Sequence, residues 1–151
     1  MNIHPLIVHF PIALLTTYAV LELIRFRIVT SKPYWFYIKV TLLILGTLAS
    51  YAAILAGLIA KSLISNPDIL YVINRHEFFG ITTSVIFTLI SLIYIRAWIK
   101  QVPDPKKQTL FLAILGLTSI FITGALGGSI VYGPTNDPVT NWIYNLIIGS
   151  K

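Results

Sequence analysis

The chain has 151 residues, a length that suits one domain. Hydrophobic residues make up 56% and charged residues only 11%, against about a quarter in soluble domains, and mean hydropathy is +0.84, which argues against a soluble fold. There is no cysteine, which excludes disulfides, cysteine-ligated zinc, iron–sulfur clusters and thiol catalysis in this chain; the net charge of +6 sits between apolar runs, as in membrane proteins, and does not suggest nucleic acid.

The first charge-free run is Pro5 to Leu21, closed by Glu22, Arg25 and Arg27. Pro5 suits the first turn of a helix, and the pattern predicts a span near Pro5–Ile24. No basic segment precedes it and no A-x-A-type site follows, so it reads as a retained helix and not a cleaved signal. The second run, Val40 to Ala60, ends at Lys61 and predicts a span over Tyr34–Ala60. The third, Phe78 to Ile95, is bounded by Arg75, Glu77 and Arg96. Asn66-Pro67 is a cap-plus-proline start, so this span is expected over Ile69–Ile99. The fourth, Thr109 to Val131, follows Lys106 and Lys107 and predicts Gln108–Tyr132. Each run is near the roughly 17–25 residues that cross a hydrocarbon core, where the backbone must satisfy itself within the segment. Asp137-Pro138 is a further helix start, with Trp142, Ile143 and Ile147 placed to lie on the membrane surface. The expected fold is all-α: an integral membrane four-helix bundle with a short C-terminal interfacial helix, one domain over residues 1–151.

Lysine and arginine set the expected orientation. The first connection holds Arg25, Arg27 and Lys32, with Lys39 at the start of span two; the third holds Arg96, Lys100, Lys106 and Lys107. The second has only Lys61 and Arg75, and the tail only Lys151. The positive-inside rule puts both termini outside. Tyr34, Trp35, Tyr37, Trp142 and Tyr144 read as an interfacial belt.

That topology brings all three histidines, His4, His9 and His76, towards the outer face. His9 and His76 would lie at similar depth. His4 and His9 are five residues apart, about 140° around a helix, so they cannot both point squarely at one ligand unless the chain unwinds before Pro5. Ionisable residues at membrane depth are functional candidates, and imidazole is the commonest metal ligand. Two imidazoles on facing helices suit a six-coordinate haem. Gly80, Thr83 and Ser84 follow His76 on its own helix face and are small enough to make room for a macrocycle, or simply to pack helices. Arg75 could pair with a propionate or stay solvated; Glu77 reads as a first-turn residue. The stripe Gly46, Ser50, Ala53 and Gly57, and the glycines 124, 127 and 128, read first as helix packing. There are no paired intramembrane carboxylates, which argues against a proton pump or cation channel, and no phosphate loop or nucleophile motif.

The opening His4-Pro5-Leu6-Ile7-Val8-His9-Phe10-Pro11-Ile12-Ala13-Leu14, with His76 and Gly127-Gly128-Ser129-Ile130-Val131-Tyr132, resembles a family of small prokaryotic predicted membrane proteins of unknown function. Its members open with HPLxVHFPIAL, have four spans and carry a histidine at the start of the third. Members often have an acidic residue after span two and a polar or histidine-containing stretch after the final tyrosine. Here those places read Gly57-Leu58-Ile59-Ala60-Lys61 and Gly133-Pro134-Thr135-Asn136, so no extra ligand carries over. Relatives fused to, or encoded with, Rieske or cytochrome modules imply membrane electron transfer.

Three readings follow. The first is a b-type haem protein with His9 and His76 as axial ligands and Arg75, Gly80 and Ser84 lining the cofactor. It would be a respiratory-chain electron-transfer subunit in a prokaryotic plasma membrane, not an enzyme on its own. One haem on one side needs further subunits or a quinone. The second is a copper, iron or zinc site using His4, His9 and His76. The third is a structural or assembly subunit. A homo-oligomer fits all three.

Overall fold

The computed structural model describes residues 3–24, 30–102, 106–135 and 137–149. Arg25, Arg27, Asn136 and Lys151, which entered the reading above, lie outside them, as does the side chain of Lys106. The described residues form helices α1 (His4–Leu23), α2 (Pro33–Lys61), α3 (Pro67–Lys100), α4 (Lys106–Tyr132) and α5 (Pro138–Ile148), with no strand among them. The four long helices start and end within two residues of the expected bounds.

Local chemistry explains where they start. Proline occupies the first turn of α1, α2, α3 and α5, where its missing N–H costs nothing. The Asn66 side chain accepts from the backbone N–H of Asp68 and Ile69, and that of Asp137 from Thr140, satisfying donors that a helix start leaves open. Gln101 closes α3 in the left-handed conformation, φ 52°.

Helix α1 packs on α2, α2 on α3, α3 on α4, and α4 back on α1. This is an up-down-up-down bundle in which α1 stands diagonal to α3. Helix α5 crosses one end of α4 and reaches α3. All four long helices are long and apolar enough to cross a membrane. Leu6, Phe10, Leu55, Ile59, Phe111 and Val131 face outward, as a lipid-exposed surface allows.

The centre holds Leu15, Tyr18, Leu43, Phe87, Ile90 and Tyr94. Tyr18 of α1 meets Phe87 and Tyr94 of α3 edge-on across the diagonal, at 6.1 and 6.3 Å between ring centroids. Interior hydroxyls mostly donate to the carbonyl four residues back, as Thr47, Thr83, Ser84 and Ser91 do. Thr83 also bonds Ser119 at 2.8 Å, tying α3 to α4.

Candidate functional site

Because α1 and α3 run in one direction and α2 and α4 in the other, His4 and His76 share one end of the bundle. Their rings stand 6.1 Å apart, centroid to centroid, at an interplanar angle of 89°. Both are half-buried. His4 Nδ1 donates to the Ala53 carbonyl of α2 at 3.0 Å, and His76 Nδ1 to the Thr123 carbonyl of α4 at 2.9 Å. A carbonyl can only accept, so each Nδ1 carries the hydrogen, and in the neutral ring the lone pair lies on Nε2. That is the tautomer and the outer hydrogen bond that metal-bound imidazoles show.

Two glycines let backbone close on these rings. A Cβ on Gly57 would lie 3.1 Å from His4 Cε1, and one on Gly127 3.2 Å from His76 Cε1. Both contacts are tighter than most Cβ contacts, so either ring would have to give by a few tenths of an ångström. The α2 stripe is therefore more than helix packing at this end. Gly46 takes Leu15 of α1, but Ala53 and Gly57 hold His4. On α4, Gly127 seats His76, Gly128 faces Thr140 of α5, and Gly124 borders open space.

The expected pairing of His9 with His76 is not what the structure brings together. His9 is exposed, and its Nδ1 turns back to the Pro5 carbonyl of its own helix. The reason is phase. The buried residues of α1 are Pro11, Leu15, Tyr18, Ala19 and Glu22. Four of them, Pro11, Leu15, Tyr18 and Glu22, continue His4's azimuth in steps of seven, four, three and four residues, whereas His9 lies off that stripe. Depth alone suggested His9; the buried stripe selects His4. The convergence of His4, His9 and His76 on one metal is likewise not seen. Among the described residues no three His, Cys, Asp or Glu side chains are placed to hold a metal ion.

Arg75 is exposed, donates to Tyr71 Oη at 3.2 Å and lies over that ring, so it does not turn to the histidines. Glu77 is beyond the first turn and pairs with Lys61 of α2. A Cβ on Gly80 would meet Thr123 only in ordinary contact, and buried Ser84 bonds the Gly80 carbonyl.

A second polar cluster, at the other end, escaped the sequence reading. Glu22, taken there as the end of a span, is buried within α1, and Lys39, counted as a loop-side basic residue, is buried in α2. Lys39 Nζ donates to Glu22 Oε2 and to Tyr94 Oη, both at 2.7 Å. Tyr94 Oη donates to Glu22 Oε2 at 2.9 Å, and Thr109 Oγ1 to Glu22 Oε1 at 2.6 Å. Each long helix supplies one member. A charged pair is stable away from water only when its remaining lone pairs and protons are bonded in this way.

The family model of the predicted membrane protein family DUF2231 matches residues 1–135. The chain belongs to this family. No curated protein and no solved structure matches it. The matched DUF2231 segment contains α1 to α4, both histidines of the pair and all four members of the ion-pair cluster.

Proposed function

We propose that this chain is an electron-transfer subunit of a prokaryotic plasma membrane that holds one b-type haem at its histidine end, with His4 and His76 as the axial imidazoles. The observation that carries the reading is the pair itself. Two imidazoles from diagonal helices each have Nδ1–H fixed on a carbonyl, which aims the ligand chemistry at Nε2. The two rings, 6.1 Å apart centroid to centroid, are near enough for one haem iron to take both as ligands. When bound, the haem would supply one-electron chemistry between ferric and ferrous iron. The chain's part is to fix the tautomer, close backbone on the rings through Gly57 and Gly127, and hold the site within an apolar bundle. The positive-inside rule puts the histidine end outside, so electrons crossing the membrane need a further subunit or a quinone.

One observation favours a structural reading instead: the same Nδ1–carbonyl bonds tie α1 to α2 and α3 to α4, as a purely stabilising histidine would. The colour of protein purified from its native membrane separates the two. The haem reading expects the narrow split visible bands of a reduced low-spin bis-imidazole haem. A colourless protein with bound copper or zinc would move the pair to a bare-metal site. A colourless, metal-free protein would leave the structural role.

A further inference from the structure

The two polar clusters are related by one number. His4 and Glu22 of α1 are 18 residues apart; so are Lys39 and Gly57 of α2, His76 and Tyr94 of α3, and Thr109 and Gly127 of α4. Eighteen residues are five turns of an α-helix and a rise of about 27 Å. Each long helix therefore presents a member of the ion-pair cluster and a member of the histidine pocket on the same line of its surface. Both clusters stand on the axis of the bundle, near its two ends.

We infer that the Glu22–Lys39–Tyr94–Thr109 cluster is the positioning device for the histidine pocket: by fixing the rotation and height of each helix, it delivers His4, Gly57, His76 and Gly127 to the axis five turns away. Hydrophobicity cannot do this in a bilayer. Helix α1 is apolar on all sides, with Leu6, Phe10 and Val20 outward and Leu15, Tyr18 and Ala19 inward; α4 is the same, with Phe111, Phe121 and Val131 outward and Ala113, Ile120 and Leu126 inward. Turning such a helix exchanges one apolar residue for another, and lipid does not resist the exchange. A carboxylate or an ammonium turned into hydrocarbon does resist. The charged pair thus sets a phase that the apolar residues leave open, a role in register for which buried polar groups are known. The inference builds on reading His4 and His76 as the working site, but its test uses no ligand.

The chain has no native cysteine, so Leu6→Cys and Phe78→Cys, both at exposed positions beside the histidines, can carry a spin-label pair. In detergent, pulsed dipolar spectroscopy of the otherwise native protein should give one narrow distance peak. Adding Glu22→Met and Lys39→Met removes both charges at similar volume. The helix content should survive while the single peak is lost to a broad or displaced distribution. Adding Glu22→Asp and Lys39→Arg instead, which keeps the charges, should restore a single peak. An unchanged peak in the folded double-methionine protein overturns the inference. Should that protein not fold, Tyr94→Phe decides, since it removes one hydroxyl and no charge: a broadened peak supports the inference and an unchanged one overturns it. If the peak behaves as expected but the protein never binds haem, the positioning stands and the haem reading falls.

Discussion

At the ion-pair end, a carboxylate, an ammonium, a phenol and a hydroxyl from four helices bond one another at 2.6–2.9 Å, almost wholly out of contact with solvent. At the histidine end, two half-buried imidazoles use one nitrogen each on backbone carbonyls and meet ring to ring. Both ends bring polar groups into an apolar bundle. One cluster satisfies itself with side chains from every helix, which is the mark of a structural element. The other fixes its two imidazoles on backbone carbonyls, and it is this end that the haem proposal draws on.

Variants that attack one end at a time sharpen this contrast. The largest loss of stability is expected from Glu22→Ala, which leaves a buried ammonium without its carboxylate; breaking a buried pair costs about 3–5 kcal/mol. Equilibrium unfolding in detergent should show it. Glu22→Met with Lys39→Met should recover most of that loss, because well-packed apolar replacements of a buried pair are often neutral in stability. A double variant as unstable as Glu22→Ala would mean that the cluster contributes net stability and not only register.

At the other end, Gly57→Val and Gly127→Val should each cost about 1–3 kcal/mol through overpacking against the imidazoles, with any bound ligand weakened as well. Thr83→Val, which removes the α3–α4 hydroxyl bond between the two ends, should cost only about 0.6 kcal/mol, the average for interhelical hydrogen bonds in membranes. The smallest effect is at the surface. Hydrogen bonds from the Thr140 side chain and backbone hold the Asp137 carboxyl below its usual range. A lowered folded-state pKa gives stability that is present at neutral pH and is lost as pH falls through the carboxylate range. Melting of α5, followed by fluorescence of Trp142, should therefore be promoted by acid in the native protein and not in Asp137→Asn.

The spans were legible because length and absence of charge suffice to mark a membrane helix, and the starts were legible because Asn66-Pro67 and Asp137-Pro138 carry their own capping chemistry. Of the two histidines that meet in the bundle, His76 was singled out by type and depth. His4 was kept only for the three-histidine metal site and not paired with His76, because depth does not reveal which side of a helix is buried, and α1 is too uniformly apolar for a hydrophobic face to show it. Glu22 held the missing signal: a carboxylate so close to the membrane must face protein, and counting back five turns from it reaches His4. Lys39 was missed for a related reason. A basic residue two turns into a helix reads as part of a basic loop until its partner, on another helix, is known. Such pairing across the bundle is a property of packing, and sequence separation hides it.

The central claim is that His4 and His76, and not His9, form the ligand pair. Haemin titration into purified protein in detergent, followed by visible absorption after reduction, tests it directly. The account predicts one equivalent bound with a low-spin bis-imidazole spectrum in the native protein and in His9→Ala, and loss of that spectrum in His4→Ala and in His76→Ala. The same spectrum in all four proteins, or its loss in His9→Ala with retention in His4→Ala, would contradict it.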